Sequence, residues 1–313
     1  MNFNSIIGQK EIVANLKNAI ASQRIGHAYI FSGPKGIGKR SIAKIFASML
    51  LCSSPQIDGC CGVCLQCTML KEGSNPDYME LDTEGQSIGV EEIRRIQSDV
   101  IIKPMYSKRK VYLIADSEKM TVQAQNSLLK TLEEPPEYTV ILLTTSNYSA
   151  LLETARSRAV RFNLKANTPE EVKKYLISNY GSQLEAVDFI TAYSGGVIGT
   201  AIKLAESNDF IDIREKTLEI VLKLAKGNLE DIFEFYDFFE KHKNDINTIL
   251  DMMILFYRDL LIMKKTSAEN MLINSDKKDI IIINAPRFST AKLLQNIDAV
   301  EAARKDIRQN VNY

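Results

Sequence analysis

The sequence has little of what marks a protein built on excess charge, disulfides or lipid contact. Its net charge is zero, with 39 basic and 39 acidic side chains. That balance excludes wrapping nucleic acid by bulk positive charge, though not a local basic face or a helix N-terminus at a phosphate. Long apolar runs are missing too. The most apolar late stretch, DMMILFYRDLLIMKK (251–265), is broken by Arg258 and Asp259 and is too short to span a bilayer. It reads as a buried helix. The opening MNFNSIIGQKEI has no apolar leader segment, so a cytoplasmic protein is expected. Histidine occurs twice, at His27 and His242, with no partner pattern, and neither is assigned a role. Cysteine is scarce, at five residues, and all five fall between positions 52 and 67. In a reducing compartment such clustering favours a metal over disulfides.

What is present is ordinary for a globular chain: 45% apolar and 25% charged residues over 313 positions, enough for two or three domains. Strand-length apolar runs at 27–33, 78–83, 110–116, 139–145 and 159–164 alternate with helical patterns such as VEEIRRIQSDV and AQNSLLKTLEE. Apolar strands alternating with helices predict an α/β fold with a parallel sheet covered on both faces. The acids Glu91 and Glu92 suit the N-terminus of their helix. After Leu164 the strands stop. Thr168 reads as an N-cap, with Pro169 in the first turn and acids behind it. The expected domains are 1–165, then a small helical unit at 166–206, then a helical domain at 207–313. The aromatic-rich DIFEFYDFFEKH reads as helical core. The final helical pattern stops without a C-cap signal, so either the chain ends there or the sequence is cut short.

Residues 33–41, GPKGIGKRS, lie between a strand and a helix and match the start of a phosphate-binding loop. Gly33, Gly36 and Gly38 let backbone N–H groups close around phosphate oxygens of ATP or ADP, and Lys39 reaches the outer phosphates. The next position should carry the hydroxyl that holds Mg²⁺, and here it is Arg40. Ser41 is about 100° further round the helix and cannot substitute. At the end of the third strand a pair of acids is expected, but the pair is Ala115–Asp116. Both losses strike the metal, so little or no hydrolysis is expected. Phosphate binding without turnover and a ligand-free turn both stay open.

In CSSPQIDGCCGVCLQC (52–67), Cys52, Cys61, Cys64 and Cys67 have the spacing C-x8-C-x2-C-x2-C. Paired C-x2-C knuckles and four thiolates predict a closed, structural Zn²⁺ site. Cys60 is the spare.

These residues resemble one family. IGQKEIVANLKNAIASQRIGHAYIFSGPKGIGK, the cysteine module after the first loop helix, NSLLKTLEEPPEYTVILLTT (126–145) and ARSRAVRF (155–162) look like a bacterial clamp-loader subunit of the AAA+ class. The resemblance implies an AAA+ ATPase-type domain with an inserted zinc module, a helical lid and a collar domain that assembles a hetero-pentameric ring. The partners it implies are γ/τ and δ subunits, with the sliding clamp and primed DNA reached through the complex. Within the family, the γ/τ motor would have Ser or Thr at position 40, a D-E pair at 115–116 and an Arg near the lid position held here by Gly199. This chain has none of the three and is similar to the δ′ branch, the stator. The family's S-R-C motif reads Ser157-Arg158-Ala159. By resemblance, Arg158 acts in trans on a neighbour's ATP, where a planar guanidinium meets developing phosphate charge. Arg156 and Arg161 are expected to be ordinary surface arginines, and Lys108, Arg109 and Lys110 a solvated loop before a strand. An ATP-hydrolysing motor of γ/τ type is the alternative reading. A zinc-dependent nucleotide kinase is a third, in which LLKTLEEPP has no place.

Overall fold

A computed structural model of the chain describes residues 1–82, 87–181, 186–207, 209–224 and 231–308, with the side chains of 231–234 and 308 excepted. The expected strand residue Thr83, residues 225–230, the side chain of Phe233 and residues 309–313 lie outside the described residues. The chain divides into two compact units, residues 1–171 with 196–199, and residues 172–195 with 200–313.

In the first unit five strands form one sheet: β1 (Ala28–Ser32), β2 (Tyr78–Leu81), β3 (Lys110–Ile114), β4 (Thr139–Thr145) and β5 (Val160–Asn163), in the order β2-β3-β4-β1-β5. Every pairing is parallel. The helices are α1 (Lys10–Ala21), α2 (Lys39–Leu51), α3 (Leu65–Lys71), α4 (Val90–Val100), α5 (Val122–Glu133) and the one-turn α6 (Glu153–Arg156).

Alternation along the strands explains the layers. Tyr29, Phe31, Val111, Leu113, Val140 and Leu142 join one core with α1 and α2. Their neighbours Ala28, Ile30, Tyr112, Ile114, Ile141 and Leu143 join a second with α4 and α5. Residues i and i+2 share a face, so a strand apolar at every position needs cover on both sides. In α4 the buried residues are Ile93, Ile96 and Val100, one stripe of a 3.6-residue period. Each such fully buried aliphatic contributes about 1.5–3 kcal/mol. The sheet order brings the carboxyl ends of β1 and β4 side by side. In open α/β sheets that edge is where ligands bind.

The helix α7 (Pro169–Tyr180) opens on a reciprocal cap: the Glu171 N–H donates to Thr168 Oγ1 at 3.2 Å and the Thr168 N–H to Glu171 Oε2 at 3.1 Å. Beyond it lie α8 (Val187–Tyr193), α9 (Ile198–Ala205), α10 (Phe210–Leu224), α11 (Asp231–Lys241), α12 (Ile246–Thr266), α13 (Lys278–Asn284) and α14 (Thr290–Arg308). The core of the second unit runs along α12, where Ile249, Met252, Phe256, Tyr257 and Leu260 are buried. The charges that break this run are paired: Arg258 donates to the wholly buried Asp259 at 2.8 Å, and Asp259 also receives the Asn274 N–H at 2.8 Å. Buried Arg214 forks onto Asp276 with two bonds of 2.7 Å and lies 4.2 Å over the Phe189 ring. No helix among the described residues is long and apolar enough to cross a membrane.

Candidate nucleotide and metal sites

Helix α2 carries a candidate site at each end. At its N-terminus the loop residues Gly33, Gly36 and Gly38 all have positive φ, at 152°, 83° and 99°. An L side chain at Gly33 would put Cβ 2.7 Å from the Leu164 carbonyl oxygen. The turn therefore requires glycine by both conformation and space. Lys39 is buried and turned into the loop. Its Nζ donates to the carbonyls of Gly33 and Pro34, each at 2.8 Å, and to Ser146 Oγ at 2.9 Å. Burial lowers its pKa, against the opposing pull of the Glu118 and Asp116 carboxylates.

Arg40 stands where a metal-binding hydroxyl is expected, and two carboxylates hold it. Its Nε donates to Glu80 Oε1 at 2.6 Å, and NH1 lies 2.5 Å from Asp82 Oδ2. Lys44 joins the same Glu80 at 2.9 Å. Burial acts against the charge on Arg40, but Glu80 and Asp82 outweigh it and raise its pKa. Ala115 is buried at the end of β3, and Asp116 pairs with Lys119 at 2.8 Å. The loop's other side is closed by backbone. The Gly199 N–H donates to the Gly36 carbonyl at 2.9 Å, and a Cβ on Gly199 would lie 2.6 Å from that oxygen. An arginine at 199 does not fit this arrangement.

At the other end of α2, Cys52 is the C-cap. The sulfurs of Cys52, Cys61, Cys64 and Cys67 all lie within 4.8 Å of one another. Cys52 and Cys64 are 3.9 Å apart, and Cys61 and Cys67 are 4.0 Å apart. A tetrahedron with metal–sulfur bonds of about 2.3 Å has edges of about 3.8 Å, so the cluster is of the right size to hold a metal ion. Backbone N–H groups already point at the sulfurs: Cys61 N to Cys52 Sγ at 3.3 Å and Cys64 N to Cys61 Sγ at 3.4 Å. As free thiols, Cys52 and Cys67 are held protonated by burial. Cys64, despite its own burial, is drawn down to about 6 by hydrogen bonds from Ser53 and Cys67. Cys60 lies outside the cluster and faces the chain's start, its Sγ 3.5 Å from the Met1 carbonyl. There the N-terminal segment bridges the module: Asn2 pairs with Gly59, and Phe3, itself buried, donates its N–H to the Asp58 carbonyl at 2.6 Å.

Arg158 lies just past α6. Its NH2 is 2.9 Å from Glu133 Oε1, and its NH1 donates to the Thr154 carbonyl at 2.8 Å. Arg156 is half-buried and Arg161 exposed, and both pack on one aromatic ring. Their guanidinium carbons lie 5.1 and 3.7 Å from the centre of the Tyr148 ring, and Arg161 also donates to Ser32 Oγ at 3.0 Å.

Two family models cover most of this chain. One, described as "DNA polymerase III, delta subunit", matches residues 8–168, and its C-terminal counterpart matches residues 208–313. The chain belongs to the DNA polymerase III clamp-loader family. The family resemblance is thereby borne out, in the sheet unit and at the helical end alike. Among individual clamp-loader relatives, the subunit delta′ of Bacillus subtilis is 30% identical over 97% of this chain and 92% of its own length. The delta′ of Pseudomonas aeruginosa is 37% identical over 65% of this chain and 62% of its own. The Bacillus subtilis tau subunit is 31% identical over 84% of this chain, which spans half of tau's length.

Within this clamp-loader chain, several residues that matter gave no sign in the sequence. Glu80 and Asp82 lie on and after β2, forty residues from the Arg40 they hold. Lys110 corrects the expected solvated loop: it is 3% exposed, begins β3 and pairs with Asp99 at 2.9 Å. Asp77 is buried and accepts the N–H groups of Met105, Tyr106 and Ser107 at 2.7, 2.8 and 2.7 Å. It organises the whole turn before β3. A single acid ahead of a strand carries no such signal in one dimension.

Proposed function

We propose that the chain is the stator of a bacterial clamp loader, of δ′ type. It assembles with γ/τ motor subunits and a δ subunit and supports ATP-dependent loading of the sliding clamp onto primed DNA. In this reading it contributes Arg158 to a neighbour's ATP and turns over little or none of its own. The observation that carries it is the occupation of the metal end of the phosphate loop by Arg40, held between Glu80 and Asp82. A cation there repels the Mg²⁺ that hydrolysis requires. The crowded backbone at Gly199 and the missing acid at Ala115 argue the same way. The match over 92% of a delta′ relative, against half of tau, also favours this branch.

The four-cysteine cluster is proposed to hold one structural Zn²⁺ on Cys52, Cys61, Cys64 and Cys67. An all-sulfur tetrahedral set with no open position suits zinc and leaves no place for substrate. The glycines and Lys39 keep a shape that can accept the phosphates of ATP or ADP without hydrolysing them.

A γ/τ-type motor is the competing reading, favoured by the identity to tau. The two readings separate on reconstitution with motor and δ subunits. The isolated chain should hydrolyse ATP at background, and Arg158→Ala should lower the clamp- and DNA-stimulated rate of the whole complex. One of several sites is affected, so the fall is partial, although a sole arginine donor is worth about 10³–10⁵ in turnover at its own site. Turnover by the isolated chain at a motor's rate would overturn the stator.

A further inference from the structure

We infer that Glu133 is a positioning residue for Arg158, a resting partner that the guanidinium must leave before it can reach a phosphate on the neighbouring subunit. This rests on the stator reading above. Three arginines crowd the strand-ward end of α6, and they are held in different ways. Arg156 and Arg161 lie over the Tyr148 ring. Among the described residues, Arg158 is the one of the three with a carboxylate partner, its NH2 2.9 Å from Glu133 Oε1.

The chemistry of the pair gives it a meaning beyond packing. A guanidinium presents the same planar N–H donors to a carboxylate as to a phosphate. With NH2 on Glu133, and NH1 on the Thr154 carbonyl at 2.8 Å and Ser157 Oγ at 3.3 Å, Arg158 has its fork already engaged. Glu133 is the last residue of α5, so the cation also sits at the negative end of that helix dipole. A carboxylate carried alongside Arg158 into a phosphate site would cancel the charge that the site needs. The two engagements are therefore exclusive. Yet the pair is half exposed, at 35% and 48% of the two side chains, so solvent screens it and the restraint is light. A light restraint suits a group that must exchange partners within a catalytic cycle. The reaction itself is unchanged. Water attacks the neighbour's γ-phosphorus, the bond to the β–γ bridging oxygen breaks, ADP leaves, and Arg158 supplies charge alone.

The test uses the complex reconstituted with motor and δ subunits, assayed for ATPase without clamp or DNA and again with both. Glu133→Gln keeps the shape and removes the charge. It should raise unstimulated turnover at the site that Arg158 serves about two- to fivefold, the range an exposed ion pair can exert, seen as a smaller rise in the rate of the whole complex, and leave the stimulated rate within about twofold. Glu133→Asp, which keeps a carboxylate, should stay near wild type. The double variant Glu133→Gln/Arg158→Ala should match Arg158→Ala alone, because a restraint has no effect without the group it restrains. A purely structural role for Glu133 would not give that dependence. If Glu133→Gln leaves the unstimulated rate at or below wild type while Arg158→Ala still lowers the stimulated rate, the restraint is wrong and the stator survives. If Arg158→Ala loads and hydrolyses as wild type does, the stator reading falls and the restraint falls with it.

Discussion

The two ends of α2 each carry a candidate site and differ in how completely they are built. Thirteen residues, about 20 Å of helix, separate them. At the C-terminal end four sulfurs stand at tetrahedral spacing, with backbone N–H groups turned towards them. At the N-terminal end the backbone of a phosphate loop is intact, but its side chains are satisfied by the protein itself. Lys39 bonds its own loop, and Arg40 answers two acids. The glycines are required by the turn's own backbone, all three at positive φ and Gly33 also for lack of space, whatever the side chains beside them do. The glycines report a shape. The residue after the lysine reports a function.

The largest expected effect lies at the sulfur end. Cys61→Ser should reduce bound zinc from one ion per chain to near none, read by metal analysis of the purified protein. Structural metal binding of this kind is worth on the order of 10 kcal/mol to a small module, so residues 52–67 should also become open to proteolysis. Acidification should release the ion in the wild type too. The ligands are thiolates, and affinity falls as pH falls towards their protonation. Full metal retention by Cys61→Ser would remove that residue from the ligand set.

A smaller effect is expected at Gly199, beside the loop. Gly199→Ala adds a carbon 2.6 Å from the Gly36 carbonyl oxygen. Alanine would gain up to about 1 kcal/mol of helix propensity, but overpacking against backbone costs about 1–3 kcal/mol. Net destabilisation of about 1 kcal/mol should appear as a lower urea midpoint. A raised midpoint would mean that the contact relaxes freely.

The smallest is a null in turnover. Arg40→Thr restores the hydroxyl, yet Ala115 still leaves the metal one carboxylate short. ATP hydrolysis should stay at background, and stability should fall by about 1 kcal/mol, since the largely buried Glu80 keeps Lys44 as a partner. Hydrolysis by this single variant would show that the loop is one substitution from activity, and the contrast between the two ends would shrink.

Much of this was legible in one dimension. The five strands fall within the runs at 27–33, 78–83, 110–116, 139–145 and 159–164; the central β1, β3 and β4 are buried at every position, as an apolar run demands, while the edge strands β2 and β5 are only half-buried or exposed. The cysteine spacing pointed to a cluster because two C-x2-C turns constrain their sulfurs locally. The Thr168 cap is likewise a matter of three neighbouring residues. What escaped was every pairing across the sheet. Nothing near Arg40 points to Glu80, nothing near Arg158 points to Glu133, and Lys110 looked solvated because its partner Asp99 lies on the preceding helix. Charge pairs between elements depend on topology, and topology is not written locally. The division of the helical half also follows contacts rather than sequence pattern: residues 196–199 group with the sheet unit, while 172–195 group with the later helices.

The bridge between Asn2 and Gly59 has a consequence in time. Residues 1–3 are synthesised more than fifty positions before their hydrogen-bond partners at Asp58, Gly59 and Cys60. At about 5–20 residues per second, that is a wait of several seconds. Phe3, destined for the core, spends it without the strand edge that fixes its place. This segment therefore settles only after the turn that holds it has been made.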